Sequence, residues 1–202
     1  MIKNIILDMG GVLMRFDTKA LIERLGLSEE DSRILHREVF MSLEWARQDR
    51  GSLTEEEACA SICARTPEHL HTAVKDLIYR WERPILPIEG MEALLKSLKQ
   101  NGYRIYLLSN ANSRQHVYWP DVPGSQYFDG TLISADVKLV KPQPEIYHLA
   151  CTTFHLVPEE CAYIDDLPLN AEGAYYIGMH AFVFHDDMDE LRTWLVSLGV
   201  RI

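Results

Sequence analysis

Residues 4–14 read NIILDMGGVLM, a short apolar run that ends on one carboxylate, Asp8. A continuous apolar run of this length, without alternation, is typical of a strand that is buried on both faces in a parallel sheet. Two glycines, Gly10 and Gly11, follow closely and leave the backbone open to close approach by another group. We therefore predict a buried strand over residues 4–8 that carries Asp8 to the edge of a sheet.

The chain is helical in pattern from residue 17 to residue 83. Asp17 or Thr18 is the expected N-cap of the first helix, and Ser28 that of a long second helix with the sequence SEEDSRILHREVFMSLEWARQ. Thr54 with Glu57 three residues later forms a capping box. The stretch PILPIEG, residues 84–90, then breaks the pattern with two prolines and a glycine. Residues 17–83 are therefore predicted to form an all-helical insert.

Strands and helices alternate after residue 84. YRIYLLSN, DGTLISAD, CAYIDD and HAFVFH have strand patterns, and helical patterns such as GMEALLKSLKQNG and PQPEIYHLACTTF lie between them. This alternation predicts an α/β fold with a Rossmann-like, doubly wound parallel sheet. We expect residues 1–16 and 84–202 to form that core.

Composition narrows the possible partners. The 202 residues carry a formal net charge of −10, which disfavours nucleic acid and anionic membranes. No apolar run reaches the roughly 18 residues of a membrane helix, and residues 1–20 lack a signal-peptide pattern, so we expect a cytoplasmic protein. The four cysteines form no CxxC pair and are expected to be reduced. The sequence leaves open whether the protein is a monomer or a homodimer.

Polar residues follow the predicted strands where each one ends. Asp8 follows the first strand, Ser109 and Asn110 the second, and Asp165 and Asp166 a later one. Ligands of open α/β sheets bind at the carboxyl ends of the strands, so these side chains should converge there. Lys141, in the loop before PQP, should join them.

This set of groups suits phosphoryl transfer. A carboxylate such as Asp8 can attack phosphorus and form an acyl phosphate. Ser109 and Lys141 can bind the phosphoryl oxygens, and the backbone N–H groups around Gly10 and Gly11 add further donors. Mg²⁺ needs only one or two carboxylates besides water and substrate oxygens, which makes a small phosphorylated substrate compatible with the acidic chain.

Four segments in order, DMGGVL, LLSN, KPQPEIY and IDDLPLNAEGAYYIGM, resemble the haloacid dehalogenase superfamily. The resemblance covers the whole predicted core and implies a mobile cap, here a C1-type helical cap at residues 17–83. It implies that Asp8 is the nucleophile and that Ser109, Asn110, Lys141 and Gly11 bind phosphate. It also implies that Mg²⁺ is held by Asp8, the backbone carbonyl of Gly10, Asp165 and Asp166.

One position departs from the family pattern. Phosphatases of this superfamily usually carry a second Asp two residues after the nucleophile, where it protonates the leaving group and later activates water. Gly10 stands at that position here. Loss of a general acid–base group typically costs roughly 10²–10⁴ in rate. Gly10 keeps the carbonyl for the metal but removes the proton carrier. Asp17 is the nearest carboxylate that could partly replace it.

Three functions remain open on the sequence. The first is a Mg²⁺-dependent phosphatase of a small metabolite, for which the chain is similar to a bacterial α-glucose-1-phosphate phosphatase branch that also has glycine at this position. That likeness extends to SNANSRQHVYWP and makes His116 and Trp119 candidate pocket residues. The second is a metal-independent 2-haloacid dehalogenase, which the acidic pair Asp165–Asp166 argues against. The third is a catalytically weak binding or regulatory domain.

Overall fold

The computed structural model describes residues 1–202 and contains one five-stranded parallel sheet. The strand order is β3-β2-β1-β4-β5. This arrangement confirms the predicted α/β, Rossmann-like fold and places β1 at the centre of the sheet. The strands are β1 Asn4–Leu7, β2 Arg104–Ser109, β3 Gly130–Ile133, β4 Cys161–Asp165 and β5 His180–Val183.

Helices cover both faces of this sheet. The core helices are α6 Met91–Gln100, α7 Gln115–Tyr118, α8 Ser134–Val137, α9 Pro144–Phe154, α10 Pro168–Tyr176 and α11 Met188–Ser197. Residues of β1 alternate between two hydrophobic clusters. Ile5 and Leu7 pack with α6 and α11 on one face, whereas Ile6 packs with α9 and α10 on the other. This double burial explains why the strand is apolar at every position.

The register of the sheet brings the strand ends level with one another. Leu7 pairs with Leu107 of β2 and with Ile164 of β4. The residues one or two positions beyond these pairs therefore emerge side by side at the carboxyl edge. Asp8, Ser109 and Asp165 are those residues.

The segment between β1 and α6 forms a helical unit with its own hydrophobic core. Ten buried residues, among them Ile22, Leu35, Ile62 and Leu77, make that core. The unit comprises α1 Thr18–Glu23, α2 Glu29–Leu35, α3 Leu43–Asp49, α4 Glu55–Arg65 and α5 His71–Tyr79. All five helices lie in the predicted insert, and we refer to this unit as the cap. None of the helices in the protein is long and apolar enough to cross a membrane.

The prediction of one long second helix from Ser28 is wrong, because the helix is interrupted before Ser42 and a new helix begins there. After α2 it passes through a wider π-type turn, His36–Phe40, before α3 begins. The Ser42 hydroxyl donates to the Val39 carbonyl at 2.6 Å and accepts from the Trp45 N–H at 3.1 Å. A serine that satisfies backbone groups in this way starts a new helix rather than continuing the old one.

The predicted capping box is confirmed, and a second helix, which belongs to the core, has a similar side-chain cap. Thr54 and Glu57 form the capping box of α4, and Asp187 caps α11 through the N–H groups of Asp189 and Glu190. The predicted strand DGTLISAD is shorter than expected, because β3 ends at Ile133 and the chain turns at once into α8. That turn matters for the site, since it places Ser134 beside the cap.

Candidate active site

The ammonium group of Lys141 lies between two carboxylates at the carboxyl edge of the sheet. Its Nζ is 2.9 Å from Asp8 Oδ1 and 2.7 Å from Asp165 Oδ2. It also donates to the Leu108 carbonyl at 2.9 Å. The Lys141 side chain is fully buried, so these three contacts fix its position. The structure thus brings together the predicted nucleophile, phosphate-binding lysine and acidic pair, with Ser109 buried at the end of the neighbouring strand.

Asp165 is held by four hydrogen bonds. Its Oδ1 accepts from the Leu167 N–H at 2.9 Å and the Asn170 amide at 3.0 Å. Its Oδ2 accepts from Lys141 and from the Tyr163 hydroxyl at 2.6 Å. Each oxygen of this buried carboxylate accepts two hydrogen bonds, which makes the side chain rigid. Asp165 therefore fixes the orientation of the Lys141 ammonium group.

Asn110 holds the backbone of the lysine loop. Its side-chain oxygen accepts from the Lys141 N–H at 2.8 Å, and its side-chain amide donates to the Lys141 carbonyl at 3.0 Å. This pair of bonds closes the loop onto the end of β2. Because both ends of the amide are engaged, a contact of Asn110 with phosphate would use the backbone N–H.

Three carboxylates are close enough to share one cation. Single oxygens of Asp8, Asp165 and Asp166 all lie within 4.8 Å of one another. A set of carboxylate oxygens suits a hard cation such as Mg²⁺. Gly11 makes room for this cluster, since it has φ +71° and a Cβ there would overlap the Asp166 carboxylate. Gly10 lines the same cavity. The residues present therefore fit a magnesium ion.

Burial and mutual repulsion raise the proton affinity of these acids. Burial is the largest cause for Asp8; Lys141 opposes it, the charges of Asp165 and Asp166 add to it, and its pKa rises to about 7. Burial and the charge of Asp165 raise the pKa of Asp166 to about 6. For Lys141, burial is outweighed by the two facing carboxylates, which raise its pKa. Such crowding of negative charge favours a bound cation.

A cavity of about 380 Å³ opens above Asp8, between the core and the cap. Its size suits a small metabolite. One wall is aromatic, with Trp81 in edge contact with both Phe16 and Tyr118. The other wall is polar. The lining side chains that carry amide or carboxyl groups are Asp8, Asp49, Asn110, Asn112, Asp166 and Asn170.

The three predicted pocket residues do not line this cavity. Asp17 is the exposed N-cap of α1, and its carboxylate accepts from the N–H groups of Lys19 and Ala20. His116 is exposed and bonds Asp136 at 2.9 Å. Trp119 packs edge-on against Phe128. The predictions for Asp17, His116 and Trp119 are therefore wrong, because capping, an ion pair and core packing already engage their side chains.

The cavity instead contains residues that the sequence did not single out. Asp49 and Trp45 come from α3 of the cap, Trp81 from the chain returning to the core, and Tyr118 from α7. The Tyr118 hydroxyl and the Trp81 Nε1 are buried without a hydrogen-bond partner. The glycine at position 51 could have indicated from the sequence that a helix ends near Asp49. The inward direction of these side chains depends on how the cap packs.

The family profile of the haloacid dehalogenase-like hydrolases matches residues 2–178. The chain belongs to this family. The prediction drawn from the four ordered segments is confirmed at this level, and the cluster around Lys141 is the candidate active site of a haloacid dehalogenase-like hydrolase. The finer resemblance to an α-glucose-1-phosphate phosphatase branch stays a prediction.

Individual relatives of this haloacid dehalogenase-like hydrolase have different activities. The chain is 28% identical over 199 residues to a D-ribitol-5-phosphate phosphatase of Bacteroides thetaiotaomicron, covering 90% of this chain and 91% of that one. It is 25% identical over 167 residues to (S)-2-haloacid dehalogenase 4A of Burkholderia cepacia, covering 78% and 71%. A family enzyme of B. thetaiotaomicron, solved with magnesium and inorganic phosphate, superposes with a TM-score of 0.71 at 23% identity, covering 95% and 99%. That structural likeness supports the fold.

Proposed function

We propose that this hydrolase is a Mg²⁺-dependent phosphatase of small, hydroxylated phosphate esters, such as phosphorylated sugars or polyols. The observation that carries the proposal is the position of Lys141 Nζ, which lies 2.9 Å from Asp8 at a cavity that also holds Asp166. A nucleophilic carboxylate, a buried cation and a further acid at one edge are the groups that phosphoryl transfer uses.

Each residue has a defined part in this reaction. Asp8 Oδ1 is engaged by Lys141, which leaves Oδ2 to attack phosphorus and form an aspartyl phosphate. Lys141, Ser109 and the backbone N–H groups near Gly11 bind the phosphoryl oxygens. Asp8, Asp165, Asp166 and the Gly10 carbonyl would hold Mg²⁺. When bound, the ion supplies positive charge that offsets the repulsion between the carboxylates and a phosphate dianion.

The cavity supports a hydroxylated substrate. The side-chain amides of Asn112 and Asn170 line the cavity and offer hydrogen-bond partners to substrate hydroxyl groups. The aromatic wall offers flat faces to the C–H groups of a sugar or polyol. A sugar 1-phosphate and a polyol phosphate both carry hydroxyl groups and C–H faces of this kind. The D-ribitol-5-phosphate phosphatase among the relatives supports a polyol phosphate.

The dehalogenase and binding-domain alternatives are less consistent with the site. By the family resemblance, dehalogenases need no metal and lack the acidic pair that Asp165 and Asp166 form here. A domain that only binds would gain nothing from three carboxylates packed within 4.8 Å of one another. Chloride release without metal would indicate the dehalogenase, and no turnover of any phosphate ester would indicate the binding domain.

A substrate panel tests the proposal. Glucose 1-phosphate, ribitol 5-phosphate and p-nitrophenyl phosphate are assayed with Mg²⁺ and with a chelator, and chloride release from 2-chloropropionate is assayed without metal. We expect Mg²⁺-dependent phosphate release that falls at least about 10³-fold in Asp8→Asn, because the nucleophile is lost. Asp189→Asn, whose side chain is 98% exposed, is the matched control and should keep full activity. Unchanged turnover in Asp8→Asn, or chloride release alone, contradicts the proposal.

A further inference from the structure

The core of the active site lacks a carboxylate that can carry a proton to the leaving group. Gly10 occupies the position that usually supplies it, and Asp17 does not line the cavity, because its carboxylate caps α1. The cavity contains three carboxylates, which belong to Asp8, Asp49 and Asp166. Asp8 is the nucleophile and Asp166 a metal ligand in the proposed function. Asp49 is the remaining one, and it comes from the cap.

Asp49 is seated firmly over the core. The Ser134 hydroxyl donates to the backbone carbonyl of Asp49 and accepts from the Ala111 N–H at 2.9 Å, so one side chain joins the cap to the ends of β2 and β3. Two residues on, Gly51 packs so closely on the Ala135 backbone that a Cβ there would overlap it. These contacts hold the end of α3, and with it Asp49, at the cavity that Asp8 also lines.

The surroundings of Asp49 favour its protonated form. Burial, followed by the negative charge of Asp8, raises its pKa to about 8, with Trp45 acting in the opposite direction. A carboxyl group that faces the nucleophile and keeps its proton at neutral pH has the property required of a general acid.

We propose that Asp49 of the cap is the general acid and base of the reaction, in place of the acid missing at Gly10. This inference rests on the proposed phosphatase function. In the first step Asp8 forms a bond to phosphorus, the bond to the ester oxygen breaks, and Asp49 gives its proton to that oxygen, releasing the alcohol. In the second step the Asp49 carboxylate takes a proton from water as the water oxygen bonds to phosphorus. The bond to Asp8 then breaks, phosphate leaves, and both carboxyl groups return to their starting states.

The test compares two leaving groups in Asp49→Asn. For a sugar or polyol phosphate, whose alkoxide needs a proton, we expect kcat to fall about 10²–10³-fold. For p-nitrophenyl phosphate, whose leaving group needs none, the first step should stay fast while hydrolysis of the aspartyl phosphate slows. Rapid mixing should then show a burst of roughly one p-nitrophenolate per enzyme before a slow steady state. Glu56→Gln, an exposed carboxylate of the same cap, is the matched control and should behave as the wild type.

A second variant gives a rescue test. A Cβ on Gly10 would meet Phe16 at 3.5 Å, an ordinary contact, so position 10 has room to begin a side chain, and Gly10→Asp places a carboxyl group beside the nucleophile. Added to Asp49→Asn, it should restore at least about a tenth of the lost kcat if a carboxyl group is what is missing. Wild-type kinetics in Asp49→Asn, or an equal loss for both leaving groups without a burst, overturns the inference and leaves the phosphatase function standing. A wild type that hydrolyses no phosphate ester overturns both.

Discussion

The backbone conformation of Gly11 directly affects the acid cluster of the site. It has φ +71°, a region that suits glycine, and the Asp166 carboxylate occupies the space where a Cβ would lie. Gly10, the adjacent glycine, has neither restriction, since a Cβ there meets only Phe16 at an ordinary distance. Two neighbouring glycines therefore differ in kind: Gly11 is required by the geometry of the acid cluster, and Gly10 is not.

This difference can be tested with a pair of alanine variants. Gly26 in the cap has φ +65°, nearly that of Gly11, but nothing lies within 4 Å of its Cβ position. Gly11→Ala and Gly26→Ala should each lose about 1 kcal/mol of unfolding free energy from backbone strain. Only Gly11→Ala should also displace Asp166, which we expect to weaken Mg²⁺ activation at least about tenfold. Titration of phosphatase activity with Mg²⁺ measures this effect, and equal activation in both variants would contradict the assignment.

A buried ion pair links the segment that returns from the cap to the loop after β2. Glu82 is fully buried, and its carboxylate accepts from Arg114 at 3.0 and 3.3 Å. Arg114 follows Asn112 in the loop that begins at Asn110, so this pair connects the cap boundary with a wall of the cavity. A buried charge that loses its partner is strongly destabilising.

Arg114→Met should therefore lower the unfolding free energy by about 3 kcal/mol, because Glu82 is left buried beside only the more distant Arg83. The control is Arg15→Met, which removes an ion pair of similar length, 2.7 Å to Asp186, between side chains that are 52% and 43% exposed. That loss should stay below about 1 kcal/mol. Urea denaturation measures both. The double variant Arg114→Met with Glu82→Gln should recover part of the loss, and the absence of recovery would argue against the buried-charge explanation.

The sequence predicted the elements that lie along the sheet better than those that meet across the cavity. Asp8, Ser109 and Asp165 follow strand patterns directly, and the parallel register brings them level without further information. Asp49 and Tyr118 reach the site from helices, whose rotation is set by tertiary packing rather than by local pattern. The helix break at Ser42 was missed for a similar reason. A serine within a helical pattern does not by itself indicate that its hydroxyl caps a new helix.

At the scale of the whole molecule, Asp49 links acid chemistry to stability. An aspartate whose pKa rises to about 8 on folding binds a proton more tightly in the folded chain than in the unfolded one. Folding stability therefore falls as pH rises from about 4 to about 8 through this group. Asp8 and Asp166 face it from the core, while Trp45 and Tyr118 are its neutral neighbours. The protein thus keeps, between its two units, a group that costs stability near neutral pH.

Asp49→Asn should remove that cost. We expect the variant to melt higher than the wild type at pH 8 in metal-free buffer, with a much smaller difference near pH 4, where the folded carboxyl is protonated and the unfolded one, with an ordinary pKa of 3.8, is about half protonated. Thermal denaturation followed by circular dichroism at the two pH values measures this. The expected result is a variant that is more stable and less active. A melting difference that does not change with pH would contradict the raised pKa of Asp49.

The helix α3 carries both part of the aromatic wall, through Trp45, and the carboxyl group that faces the nucleophile, Asp49. The same helix therefore affects both which substrate binds and how fast it reacts. Changes in substrate specificity and in rate should then be coupled during evolution. A lineage that reshapes this helix for a new substrate must keep an acid at position 49 or acquire one at position 10. Among descendants of this sequence, the two positions should covary, with a carboxylate at one relaxing the requirement at the other.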